Sequence, residues 1–255
     1  MEIFYLLLFI LFIVFLFMCF TKLKLNNGKI INVLGNGRSL KNFDFTKLEG
    51  ETIGTCLAYR YWYKINWFPD HYCCIDSVVV KSNFEDIKKM IIEKKCKTFL
   101  LSRNIINYWK EIKNYKNVYY LDGFTSDKKN PFSKLTTYST GACATIYAHL
   151  LGATQINLFG IDCNYVEFLP ETERLRDGTL RIKKTPTYNP NYFIDDYQRE
   201  GDNYNIPNGQ TVHLESWRSV KDILNNKCEI TNYNNTDKLD KLFTRKKRYN
   251  DFYFS

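Results

Sequence analysis

Histidine is scarce in this sequence: 255 residues hold only His71, His149 and His213. An imidazole general base therefore has three places to be. No Cys-x-x-Cys pair occurs among the eight cysteines, so zinc-finger spacing is absent. Cys19 falls in an apolar run, and Cys56, Cys73, Cys74, Cys96, Cys143, Cys163 and Cys228 fall mostly within strand or helix patterns. They read as reduced, partly buried thiols rather than a disulfide framework. No Asp-x-Asp motif occurs, and Asp195-Asp196 reads as a solvated turn or helix-start pair. Internal repeats and RNA- or DNA-binding motifs are missing too. The net charge of +9 comes from basic residues scattered until the C-terminus. It suits anionic partners such as nucleotides, phospholipid surfaces or acidic glycans, and no nucleic-acid partner is expected. The single sequon, Asn234-Asn235-Thr236, is what chance supplies in an Asn-rich chain.

Charge is also missing from residues 3–20, an apolar and aromatic run long enough to cross a bilayer as a helix. Only Met1 and Glu2 precede it, and Met18-Cys19-Phe20-Thr21 is too bulky for a signal-peptidase site. A single-pass membrane anchor is expected over residues 1–21, with a polar linker over 22–28. Lys22, Lys24 and Lys29 follow the run, which places the globular part in the cytoplasm.

Short β-branched and aromatic runs mark strands at 29–34, 52–57, 72–76, 98–101, 117–121, 155–160 and 227–232. Helical patterns lie between them at 84–95, 103–114, 140–151 and 214–225. Phe84, Ile87, Met90 and Ile91 share one face of the first of these. The alternation predicts an α/β, Rossmann-like domain over 29–232, with a mainly parallel sheet flanked by helices. The pattern breaks at about 164–210, a stretch rich in Tyr, Asn and Pro that reads as a lid insertion. Residues 233–255 read as a basic and aromatic tail, with Arg245-Lys246-Lys247-Arg248 ahead of four aromatics.

In parallel α/β sheets, ligands bind beyond the C-terminal ends of the strands. Gly35-Asn36-Gly37-Arg38-Ser39 follows one strand, Asp76 another, and Gly160-Ile161-Asp162 a third. Ser139-Thr140-Gly141 opens a helix whose amides could cap or hold an anion. Four such loops on one edge predict a ligand site. Of the histidines, His71 reads as structural, His149 as a packed helix residue, and His213 as an exposed helix-start residue at the end of the lid.

Leu34-Gly35-Asn36-Gly37-Arg38-Ser39-Leu40-Lys41, with Asp44 and Leu48 after it, resembles the start of the bacterial sialyltransferases of glycosyltransferase family 42. Ser139-Thr140-Gly141 and the run from Leu150 to Asp162 resemble that family's second block, and His213-Leu214-Glu215 its late histidine. The resemblance spans roughly residues 30–230. It implies inverting, metal-independent transfer of a sugar, sialic acid or a related one, from a nucleotide donor, CMP-linked by preference, to a glycan or glycolipid acceptor, with no cofactor. His213 would be the base. Gly35, Asn36, Gly37, Ser39, Asp76, Ser139, Thr140, Gly141 and Asp162 would hold the nucleotide. Lid tyrosines, drawn from Tyr165, Tyr188, Tyr192, Tyr197 and Tyr204, would donate to the leaving phosphate, with Tyr165, Tyr192 and Tyr197 singled out.

The chain departs from the family's pattern where asparagines end its second and third strands. Leu57 or Ala58 and Asp76 stand there instead, and Thr137 or Tyr138 replaces an arginine before the second block. A carboxylate at Asp76 disfavours a second carboxylate beside it, which points away from sialic acid as the sugar. Pterin pyrophosphokinase-like proteins share the first two blocks. That similarity implies an alternative, a magnesium-dependent phosphotransferase using Asp76, Asp162 and Asp195. A non-catalytic anchored binding protein is the third reading.

Overall fold

The computed structural model describes residues 28–206, 209–234 and 236–246. The chain begins with β1 (Ile30–Leu34), β2 (Glu51–Thr55), α1 (Tyr59–Ile65) and β3 (His71–Cys74). It continues through α2 (Ser77–Ser82), α3 (Phe84–Ile92), β4 (Thr98–Leu101), β5 (Val118–Tyr120) and α4 (Leu121–Thr125). Then follow α5 (Thr140–Leu150), β6 (Gln155–Phe159), β7 (Thr172–Arg174), β8 (Leu180–Ile182) and β9 (Asn203–Tyr204). Helix α6 (Gly209–Leu224), β10 (Glu229–Asn232) and β11 (Thr244–Arg245) complete it.

Eight strands form one sheet in the order β11-β10-β6-β1-β2-β3-β4-β5, and every pairing is parallel. The chain builds outward from β1 to β5, then crosses over to lay β6 on the other side of β1. That reversal opens a crevice at the C-terminal ends of β1 and β6. The sheet is apolar on both faces because helices cover both. Leu34, Tyr72, Cys74, Phe99 and Leu101 face a core shared with α1 and α3. Their neighbours Ile31, Val33, Ile53, Cys73 and Leu100 face a second core under α5 and α6. Helix α5 is buried from Ala142 to Ala148, and its small residues let it lie close to the sheet.

All seven strand runs appear as strands, and three of the four helical patterns appear as helices. The exception is 103–114, which forms two 3-10 turns, Arg103–Asn107 and Lys110–Asn114. Trp109 between them is extended (φ −145°, ψ 93°) and packs its ring 4.9 Å from Tyr115. Burial of that indole overrides the helical period of Ile105 and Ile112. The lid is also more ordered than its composition suggests: β7, β8 and β9 form a three-stranded antiparallel sheet. At the other end, Leu239 and Phe243 are buried and β11 joins the main sheet, so residues 236–246 pack on the domain. The expected anchor over residues 3–20 lies outside the described residues. Among the described residues, no helix is long and apolar enough to cross a membrane.

Candidate active site

The crevice at the β1–β6 reversal is a cleft of about 480 Å³. Gly35, Asn36, Gly37, Asp76, Ser139, Thr140, Gly141, Asp162, Tyr165, Tyr192, Tyr197 and His213 all line it. The sequence thus placed twelve of its candidate residues on one surface, and Ser39 reaches that surface through Asp162.

One wall is backbone. The Gly35 amide donates to Phe159 O at 2.7 Å and the Gly37 amide to Gly160 O at 2.8 Å, stitching the two strand-end loops together. Gly35 is required because a Cβ there would lie 2.3 Å from Gly160 O. Gly37 has an extended conformation any residue could adopt (φ −67°, ψ 160°), yet a Cβ would lie 2.3 Å from Asp162 Oδ2. Its smallness therefore makes room for the Asp162 carboxylate, which accepts from the Ser39 amide (2.9 Å) and hydroxyl (2.5 Å). Burial pushes the Asp162 carboxyl above its usual range, against the pull of those two bonds. Asn36 Nδ2 donates to Thr55 Oγ1 at 3.1 Å, while its buried Oδ1 lacks a partner in the protein. That orphan acceptor calls for a donor from a ligand or water.

Two candidate residues are occupied locally. Asp76 caps α2, its Oδ1 accepting from the Val78 and Val79 amides (2.9 and 3.2 Å) and from Asn205 Nδ2 of the lid (3.0 Å). Ser139 caps α5, accepting from the Ala142 amide, and its hydroxyl pairs with Ser216 Oγ at 2.8 Å. The first-turn amides of α5 still have no acceptor within the helix, and Thr140 and Gly141 carry them at the cleft.

The second wall is the lid. Arg60 and Asp202 form a buried two-pronged ion pair at 2.5 and 2.9 Å, and the same guanidinium donates to Asn83 Oδ1 and Tyr197 O. Arg38 bonds Asp195 Oδ1 at 2.8 Å as well as the carbonyls of Asn189 and Tyr192. Lys64 and Arg199 take Asp196. Tyr197 OH accepts from the Leu57 amide at 3.0 Å, and its ring stacks on Tyr192 with centroids 3.8 Å apart. Burial holds the Tyr165, Tyr192 and Tyr197 phenols above their ordinary pKa, so they remain O–H donors. Tyr204 also lines the cleft, whereas Tyr188 is exposed outside it under Arg38.

His213 does not sit at an exposed helix start. It lies within α6, half-buried, with its ring centroid 4.9 Å from that of Tyr165. Burial lowers its pKa, which favours the neutral imidazole that can accept a proton. His71 is remote, buried at the start of β3 with Nδ1 2.7 Å from Thr98 Oγ1. His149 lies on α5 near its far end. Cleft residues outside the sequence reading include Thr55, Asn164, Asn191, Gln198 and Asn205. Thr55 ends β2 and follows the strand-end rule, but the asparagines carry no signal in so Asn-rich a chain.

The three carboxylates of the phosphotransferase reading do not converge, since Asp195 is bound by Arg38 away from Asp76 and Asp162. Among the described residues, no group of three His, Cys, Asp or Glu side chains is arranged to hold a metal ion.

No family model matches the sequence, and no curated protein matches it. Solved structures do. The monofunctional α-2,3-sialyltransferase Cst-I of Campylobacter jejuni is similar at a TM-score of 0.53 and 16% identity, over 86% of this chain and 80% of that one. The sialyltransferase CST-II in complex with a trisaccharide acceptor and CMP gives 0.51 and 15%, over 88% of each chain. CstII of Campylobacter jejuni with cytidine-5′-monophosphate gives 0.50 and 14%, over 87% of each. The chain has the fold of these sialyltransferases.

Proposed function

We propose that this chain is a glycosyltransferase that moves a sugar from a nucleotide donor, CMP-linked by preference, to a hydroxyl of a glycan or glycolipid acceptor. The observation that carries the reading is the cleft itself. Glycine loops, a helix start, buried phenols and one half-buried imidazole meet there, at the strand reversal of a fold shared with sialyltransferases solved with CMP. Asn36, Asp76 and the α5 start would hold the nucleotide, while Asp162 with Ser39 fixes the shape of the glycine loop. Neutral His213 takes the acceptor proton as that oxygen attacks the anomeric carbon from the face opposite the nucleotide, which inverts it. The bond from that carbon to the phosphate oxygen breaks, and its electron pair leaves with the nucleotide. Tyr197 and its neighbours donate hydrogen bonds to that departing phosphate, so its charge is met by preorganised dipoles rather than a metal. Residues 3–20 anchor the enzyme in the bilayer, with the domain on the cytoplasmic side.

Donor hydrolysis and transfer, measured across CMP-, UDP- and GDP-sugars with and without magnesium, test the reading. Turnover of a CMP-sugar without metal is expected. His213→Ala should cut turnover by about 10²–10⁴-fold while leaving CMP affinity nearly unchanged. The wild-type rate should fall as pH drops through an imidazole pKa set below its ordinary value, a limb that His213→Ala lacks. Full activity in His213→Ala would remove the base assignment, and ATP turnover that requires magnesium would favour the phosphotransferase.

A further inference from the structure

The basic residues are less evenly scattered than the sequence alone suggests, and one excess lies mostly away from the cleft. Residues 88–116 carry nine Lys or Arg against two Glu, in a protein whose net charge is +9. Lys94, Lys95 and Lys97 precede β4, and Tyr115 precedes β5, at the N-terminal edge of the sheet. With Phe68, Asp70 and Ile91 they line a shallow groove of about 490 Å³ at that edge, where Lys97 pairs with Asp70 at 2.8 Å and Lys95 with Glu93 at 3.7 Å, leaving a net positive balance of lysines. Lys95 lies over the rings of Phe68 and Tyr63, at 4.8 and 5.6 Å, so the groove pairs cations with aromatic faces. Ile92, at the end of α3 beside it, is half exposed at 51%.

The chain enters the domain at this same edge. Lys29 leads into β1, and its ammonium pairs with Glu51 Oε2 at 2.6 Å while Lys97 takes Oε1 of the same carboxylate at 2.9 Å. The basic groove is therefore one shared carboxylate away from the start of β1. Seven residues, 21–27, separate Gly28 from the uncharged run 3–20. Even fully extended they reach only about 25 Å.

From these placements we infer that the groove edge, formed by residues 92–97 and 113–117, lies against an anionic phospholipid surface. The inference rests on the anchor in the proposed function. With residues 3–20 in the bilayer, the short linker holds this edge at the headgroups. Lysines and aromatic rings are the side chains that bind there, the first to lipid phosphate and the second to the interface. The cleft opens at the opposite edge, beyond the C-terminal ends of the strands. Five residues of β1 put roughly 17 Å of strand between the two edges. The acceptor hydroxyl is accordingly met well above the lipid, on the outer sugars of a membrane-borne glycan rather than on the sugar attached to its lipid.

Hydrogen–deuterium exchange on the full chain, reconstituted in vesicles of phosphatidylcholine with or without phosphatidylglycerol, tests this orientation. Slower exchange over 92–97 and 113–117 is expected only with phosphatidylglycerol, and molar salt should reverse it. Exchange at 35–39 and 138–141 should be the same in both vesicles. Lys94→Glu combined with Lys95→Glu, at unchanged melting temperature, should weaken the lipid-dependent protection roughly tenfold or more. Equal exchange in the two vesicles, protection at the cleft instead, or protection by an RNA oligonucleotide but not by phosphatidylglycerol would overturn the assignment. Failure of the full chain to float with vesicles would remove the anchor and this surface together. Sugar transfer, assayed in detergent, would be untouched by that result.

Discussion

The two walls of the cleft are held by different kinds of bond. The glycine-loop wall is fixed mainly by backbone: Gly35 and Gly37 donate to the carbonyls of Phe159 and Gly160, and one side chain, the Asp162 carboxylate, accepts from the Ser39 amide. The lid wall is fixed by side chains, with Arg60 on Asp202, Arg38 on Asp195, Lys64 on Asp196 and Tyr197 on the Leu57 amide. A backbone wall follows from the sheet, provided glycines keep it free of side chains at Gly160 and Asp162. The lid is held as well by the Phe193 amide on Asn36 O and by Phe193 and Tyr197 in the apolar core, but each of its ion pairs is removable by one substitution. The geometry of the glycine loops is thus set by the fold, while the lid surface that supplies tyrosines depends on individual side chains.

Arg60→Ala should break this comparison most severely. Arg60 and Asp202 have side-chain exposures of only 5% and 9%. Removing the guanidinium leaves the buried Asp202 carboxylate without its countercharge, held by the Arg199 amide, and takes a donor from the carbonyl of Tyr197. A stability loss of about 3–5 kcal/mol is expected from urea unfolding. Arg60→Lys should recover little, because one ammonium cannot span both Asp202 oxygens and Asn83. A loss under about 1 kcal/mol would mean that the lid does not depend on this pair.

Gly37→Ala probes the other wall. The new methyl would fall 2.3 Å from Asp162 Oδ2, so the loop or the carboxylate must shift. Overpacking of this kind costs about 1–3 kcal/mol, and CMP affinity should fall with it. In an Asp162→Gly background the methyl has room, so the added penalty should shrink. Strict additivity of the two substitutions would show that the clash is not what requires a glycine.

The difference between the walls also explains what the sequence could reveal. Strand runs such as Ile30–Leu34 and Gln155–Phe159 are legible because interior parallel strands need continuous apolar residues, and the glycine loops come directly after them. Asp76 and Ser139 were legible as polar residues at strand and helix ends, but one residue type both caps helices and holds ligands, and only coordinates separate the two roles. The lid strands leave no periodic run in the sequence because they are two or three residues long. One local signal was present in Asp177-Gly178, a hairpin dipeptide between β7 and β8, with Gly178 at φ 86°. The Arg60–Asp202 pair had no local signal at all, since 142 residues separate its partners.

The smallest effect should come from Lys64→Ala, and it sharpens the comparison by separating buried from exposed lid contacts. Lys64 bonds both Asp196 oxygens at 2.8 and 2.9 Å, a geometry as close as that of Arg60 on Asp202. Its side chain, however, is 51% exposed, and Asp196 keeps Arg199 at 3.0 Å when Lys64 is gone. Burial opposes ionisation of Asp196, but the two cations outweigh it and hold the carboxyl below its ordinary value. A depressed carboxylate pKa adds stability above the unfolded value and loses it as pH falls through the folded one. Arg199 alone preserves most of that contribution. The expected loss at neutral pH is therefore below about 1 kcal/mol, and it should fade further in molar salt as exposed charges are screened. A salt-insensitive loss as large as that of Arg60→Ala would show that the lid is held as one cooperative charge network rather than by one buried pair.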